Sequence, residues 1–159
     1  MKVNHGRRFN YWTRAAMIGA VYAIITILFA PISYGMVQVR ISEMLLVLPY
    51  FTPAAIPGLF VGTVIANLYG GLGILDVVFG SLATLLSAYL VSKTGNKYLV
   101  PLPPVIVNAI VVGLVLHYVL NLPLYLTILW VGAGQVIACY GLGLPLLLLL
   151  EKRKHIFDL

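Results

Sequence analysis

The chain alternates between long apolar runs and short polar or proline-rich joints. One run covers residues 13–30 and stops at Pro31, and a mixed loop follows at 31–40. Residues 41–69 form a longer apolar stretch carrying Pro49, Pro53 and Pro57, so it is either one broken helix or two shorter ones. Further runs cover 72–92, then 102–120 behind Pro101, Pro103 and Pro104, then 123–150. Helices of this size cross a hydrocarbon layer of about 30 Å. Inside lipid the backbone must satisfy its own polar groups, which a helix does unaided. The pattern predicts an all-α integral membrane protein.

Composition agrees. Hydrophobic types make up 62% of the residues and charged types 9%, whereas a soluble domain carries about 25% charged residues. The net charge of +6 invites a nucleic-acid reading, but the basic residues sit at the ends of apolar runs. Lys2, Arg7, Arg8 and Arg14 lie at the start of the chain, Lys93 and Lys97 in one joint, and Lys152, Arg153 and Lys154 after the last run. That placement orients a membrane protein and favours contact with anionic lipid.

It also settles how often 41–69 crosses. With one crossing, the Lys93–Lys97 joint lies opposite the N-terminus. With two, broken near Thr52–Pro53, both termini and that joint share a side, and nine of the ten Lys and Arg residues fall there, leaving Arg40 outside. The expectation is six transmembrane helices with both termini cytoplasmic. Residues 1–159 form one membrane domain, with cytoplasmic tails at 1–12 and 151–159. The second span, 41–51, is short and proline-interrupted, which points to a binding cavity beside it. The first run resembles a signal peptide in its basic flank, but no small-x-small cleavage site follows, so it reads as a retained helix. Cys139 is the single cysteine, excludes an intrachain disulfide, and reads as core filling.

Small residues recur four apart at Ala16 and Ala20, at Gly19 and Ala23, and at Gly58, Gly62 and Ala66. Such stripes let helices approach closely, either within this subunit or against a partner. Of four acidic residues, Glu151 and Asp158 belong to the tail, while Glu43 and Asp76 lie within spans. A carboxylate at mid-bilayer costs roughly 3 kcal/mol on insertion scales, so each needs a reason. The six-span topology puts both near the outer face, with Asn67, His117, Tyr118, Asn121, Tyr125 and Trp130. Gln135 falls near the middle and Asn108 nearer the inner side. This is the layout of a pocket open to the outside. Simpler roles compete: helix dipoles for the carboxylates, a surface pair between Arg40 and Glu43, an aromatic belt for Tyr118, Tyr125 and Trp130, a satisfied interfacial His117, and interhelical hydrogen bonds for Asn67, Asn108 and Gln135.

No phosphate loop with its lysine, metal-ligand spacing or serine nucleophile elbow is present in the sequence. The glycines at 70, 71 and 73 read as a turn. The chain is expected to bind something, without catalysis, metal or a cofactor of its own.

Val39-Arg40-Ile41-Ser42-Glu43 with Leu45, Leu48 and Pro49, then Gly62-x-x-x-Ala66-Asn67-Leu68, then Gly73 through Thr84, resemble the QueT family of queuosine-precursor transporters. The resemblance runs over most of the chain and is strongest from residue 30 to 88. It implies the substrate-binding S-component of an energy-coupling factor importer in a prokaryotic plasma membrane. Such subunits have six helices and dock through small residues of the first helix onto a shared transmembrane subunit carrying two ATPases, which use the ATP. Ala16 and Ala20 fit that docking pattern, and 31–40 resembles the lid. The implied ligand is a 7-deazaguanine base, with or without an aminomethyl group. Its ring donors suit a carboxylate, a cationic side group suits a second one, and the flat ring suits Trp130. The expected substrate site is Glu43, Asp76, Asn67, Trp130, Arg40, Gln135, Asn108 and Tyr125. The same chemistry suits thiamin or another cationic aromatic. A self-contained proton-coupled transporter using Glu43 or Asp76 is the alternative, and a membrane enzyme a distant third.

Overall fold

The computed structural model of the chain describes residues 5–34 and 38–153, and only the backbone of residues 5–9. Lys2, Lys154, Asp158, the side chains of Arg7 and Arg8, and residues 35–37 of the expected lid lie outside the described residues. The elements are helix α1 (His5–Leu28), a short α2 (Ala30–Ser33), a 3-10 helix (Ile41–Tyr50), α3 (Ala55–Gly70), α4 (Ser81–Lys93), a single 3-10 turn (Lys97–Leu99), α5 (Leu102–Leu120), α6 (Leu124–Gln135) and α7 (Leu144–Glu151). A π-helical turn, Asp76–Gly80, leads into α4, and a longer one, Val136–Gly143, joins α6 to α7. No strand occurs among the described residues. Among the described residues, four stretches are long and apolar enough to cross a membrane: Asn10–Leu28, Asp76–Lys93, Lys97–Leu120 and Leu124–Glu151. Ile41–Tyr50 and Ala55–Gly70 are shorter apolar helices.

The first helix starts at His5, not residue 13, so much of the expected N-terminal tail is helical. Hydropathy marks the apolar part of a helix, not its ends. Residues 5–12 continue the helix beyond the apolar window; of these Arg7 and Arg8 are good helix formers, while Gly6 and Asn10 are not.

Polar and apolar groups are distributed inside out. Met17, Ile24, Leu28, Leu68, Ile74, Leu129 and Leu149 are exposed, while Thr26, Ser42, Glu43, Asn67, Asp76, Asn108 and Gln135 are buried. In water that arrangement would expose far too much apolar surface; in lipid it is the stable one.

Helix α1 lies on α3 through residues without bulk. A Cβ on Gly62 would stand 2.6 Å from the Gly19 carbonyl oxygen and 3.0 Å from its Cα, and one on Gly58 would collide with the Ala15 carbonyl. The stripe Gly58, Gly62, Ala66 is therefore packing within this chain, matched by Ala15, Gly19 and Ala23 on α1. Ala16 and Ala20, one position further round α1, are exposed and border an open groove with Pro57, Val61 and Ile65 of α3.

One end of the bundle gathers several joints. The Tyr11 hydroxyl donates to the Pro53 carbonyl at 3.4 Å. Val47, Val91, Val100 and Leu147 pack together with Tyr50 and Phe51 beside them. Lys97 pairs with Glu151 at 2.9 Å. The early part of α1, the turn at 51–54, the joint at 94–101 and the end of α7 thus share an end.

Candidate functional site

The 3-10 helix brings the first charged groups inward. Its ten residues rise about 2.0 Å each, so it runs about 20 Å, a third longer than the same residues as α-helix. Its residues are packed by α1, α3, α4, α7 and the Val136–Gly143 turn, which encloses Glu43 at 1% exposure.

Glu43 accepts from the Tyr22 hydroxyl of α1 at 2.6 Å on Oε1 and from Asn108 Nδ2 of α5 at 3.1 Å on Oε2. Both oxygens act as acceptors, the pattern of a carboxylate. One turn along α1, Thr26 Oγ1 lies 2.6 Å from Ser42 Oγ, so α1 holds the start of the 3-10 helix at two successive rungs. On the far side, Cys139 Sγ lies 3.8 Å from the Glu43 carbonyl oxygen and 3.4 Å from Gln135 Oε1.

These contacts set the depth. Asn108 is about 18 Å along α5 from Leu120, and Gln135 about 17 Å along its helix from Leu124. Glu43 therefore lies near mid-depth of a layer of about 30 Å, which corrects the expectation of an outer-face Glu43, while Asn108 beside it stands nearer the Leu102 end of α5, the end expected to be inner. The reason is the preceding segment: Ser33, Gln38 and Arg40 are buried, so the chain has already turned inward before the 3-10 helix begins.

Arg40 is 4% exposed. It pairs with Asp76, Nη2 to Oδ2 at 3.8 Å, and not with Glu43. Its guanidinium also lies 5.5 Å from the Tyr34 ring centroid, a cation–π distance. Asp76, fully buried, opens the π-helical turn. Asn67 Nδ2 donates to the Asp76 carbonyl at 2.9 Å, joining the end of α3 to that turn. Wide π turns displace backbone and side chains locally and recur at functional sites; here one carries Asp76 and the other Cys139.

These groups face one another around a narrow cleft, closed in this structure with no room for a water-sized sphere, lined by Gln38, Arg40, Glu43, Gly80, Thr84, Asn108, Val112 and Gln135. Asp76 and Asn67 stand behind its wall at Gly80, where a Cβ would come within 2.7 Å of Asn67 Nδ2 and 3.1 Å of Asp76 Oδ1. Several buried atoms have no protein partner: Arg40 Nε, both Asp76 carboxylate oxygens, Asn67 Oδ1, Asn108 Oδ1 and Gln38 Nε2. The Arg40–Asp76 pair is too long to count as a hydrogen bond. Buried polar groups are normally satisfied, so a cluster of open donors and open acceptors around one cleft is suited to a polar ligand.

Of the residues expected from sequence, Arg40, Glu43, Asn108 and Gln135 line the cleft and Asp76 and Asn67 adjoin it. Trp130 is half-buried and Tyr125 is 67% exposed; neither lines the cleft. Their positions on α6 turn them from Gln135, which does. Gln38, Tyr22 and Thr84 escape sequence reasoning. A glutamine in a loop and a lone Tyr or Thr in a span carry no cost that singles them out. The signal for Gln38 is its place two residues before Arg40 in an otherwise apolar segment. His117 is held outside the cluster, its Nδ1 against the Leu122 carbonyl.

Comparison with curated proteins and with solved structures gives no match. The family model described as QueT transporter matches residues 12–152, most of the chain, and the protein belongs to this family of transporters.

Proposed function

We propose that this chain is the substrate-binding subunit of an energy-coupling factor importer, and that it takes up a queuosine precursor of the 7-deazaguanine type. The observation that carries the reading is the buried cleft at mid-depth, ringed by Arg40, Glu43, Asn108 and Gln135, with Asp76 behind Gly80 and several of their polar atoms unpaired. Family membership makes the chain a membrane transporter, and such a cleft is where a transporter holds a polar substrate. A 7-deazaguanine ring offers N–H and amino donors to Glu43 and Asn108 Oδ1, and an aminomethyl group is a cation suited to Asp76. Six crossings with cytoplasmic termini belong to the same reading, supported by the shared end of 51–54, 94–101 and the end of α7. So does docking of an energising subunit, with its two ATPases, on the exposed Ala16 and Ala20 face of α1.

Titration calorimetry of the purified chain with 7-aminomethyl-7-deazaguanine tests the reading. A hydrogen bond to a charged group contributes about 1.5–3 kcal/mol, so Glu43→Gln and Asp76→Asn should each weaken binding by roughly tenfold to a few hundredfold. Variants that bind like wild type would show that these carboxylates serve packing only. A proton-coupled carrier would use the same buried Glu43. Uptake into liposomes by this chain alone, without ATP, would establish that reading instead.

A further inference from the structure

Gln38 lies just ahead of the 3-10 helix, is 2% exposed, and lines the cleft. Its Nε2 has no partner in the protein. Its backbone is pinned. A Cβ on Gly134 would collide with the Gln38 carbonyl oxygen and would stand 2.8 Å from the carbonyl carbon, so α6 touches the chain there with nothing but hydrogen between. The next residue of α6, Gln135, lines the same cleft. The amide is thus held by backbone contact at a defined place, not by a hydrogen bond of its own. Two residues on, Arg40 adds an unpaired Nε. Gln38 and Arg40 together offer N–H donors to the cleft, while Asn108 Oδ1 offers an unpaired acceptor to it. A ligand edge that places an oxygen beside an N–H, as a ring lactam does, matches both. A ring bearing an amino group in place of the oxygen would set donor against donor and leave Gln38 and Arg40 desolvated and unpaired, which is the strong form of discrimination.

We propose that Gln38 is a specificity-determining residue of this cleft, donating its amide N–H, beside Arg40, to a ring carbonyl oxygen of the ligand. The proposal rests on the functional reading above and deepens it.

Two probes test it: 7-aminomethyl-7-deazaguanine, and the same molecule with its ring carbonyl replaced by an amino group. Calorimetry would be run on wild type, Gln38→Leu and Gln38→Glu, each first shown to be monodisperse with a near-wild-type melting profile. Wild type should prefer the carbonyl probe by about tenfold or more, since one unmade hydrogen bond is worth about that factor. Gln38→Leu should weaken the carbonyl probe by about tenfold and the amino probe little. Gln38→Glu, which has only acceptors, should narrow or reverse the preference. Equal weakening of both probes, or none, assigns Gln38 to packing and overturns the proposal while leaving the functional reading standing. Should one variant fail to fold, the other still separates these outcomes. If wild type binds neither probe, the functional reading falls and the assignment of Gln38 falls with it.

Discussion

Tyr22 is the residue through which α1 reaches the site. Its ring is fully buried and its hydroxyl donates to Glu43. Tyr22→Phe keeps the ring and removes the donor, leaving one carboxylate oxygen short of a partner. The expected loss is about 1.5–3 kcal/mol, read as a lower melting temperature in detergent together with weaker ligand binding. A variant that melts and binds like wild type would show that the Tyr22 bond is immaterial. At this scale legibility follows cost. Glu43, Asp76 and Arg40 announce themselves because a charge within a span must be compensated. Asn108 and Gln135 announce themselves more weakly as amides. Tyr22, Thr26 and Thr84 do not, since hydroxyls are cheap in a helix: Thr26 and Thr84 each donate to a carbonyl one turn back.

The 3-10 helix shows what an element's geometry adds. With three residues per turn its side chains stack in columns. Ser42 and Leu45 form one buried column, Glu43, Leu46 and Pro49 another, while Ile41, Met44 and Tyr50 share a less buried third. Val47, also in the third, is buried against Val91, Val100 and Leu147. Hydropathy places a short helix at 41–51 correctly, but its winding depends on the neighbours that grip two columns at once. The contact of α1 with α3 is decided by glycines. Gly62→Leu must push the helices apart, because the nearest atoms are backbone of Gly19. Overpacking costs about 1–3 kcal/mol and should appear as a lower melting temperature and a poorer monodisperse yield. Ala16→Leu, on the exposed side of the same helix, should leave both unchanged. Equal behaviour of the two variants would mean α1 and α3 tolerate separation.

For the whole molecule, the shared end of the joints makes a topology prediction. Gly95→Cys should resist an impermeant thiol reagent in intact cells, and Asn121→Cys, at the far end of α5, should react. The reverse result would invert the molecule in the membrane. Docking makes the second. The face with Ala16 and Ala20 is exposed, flanked by Trp12, Met17 and Ile24, and forms an open apolar groove with Pro57, Val61 and Ile65 of the neighbouring α3. Ala16→Trp or Ala20→Trp should abolish uptake by the assembled importer and leave ligand affinity near wild type. Transport intact in both variants would place the partner elsewhere.

The order of apolar runs, their helical state, the lipid environment and the presence of two carboxylates within spans are all determined by the sequence alone. Each is a local property: hydropathy over a window, or the cost of one charge. Tertiary structure alone decided the rest. Glu43 lies deep because the buried residues before it carry the chain inward. Arg40 meets Asp76, from a distant segment, and not its neighbour Glu43. Gln38 enters the cleft because Gly134 lets α6 touch its backbone, and Tyr125 stays out because α6 turns it to the surface. These outcomes depend on how closely helices approach, which is set by missing side chains at Gly19, Gly58, Gly62, Gly80 and Gly134. A pattern read along one chain records that those residues are small, but not what fills the space beside them.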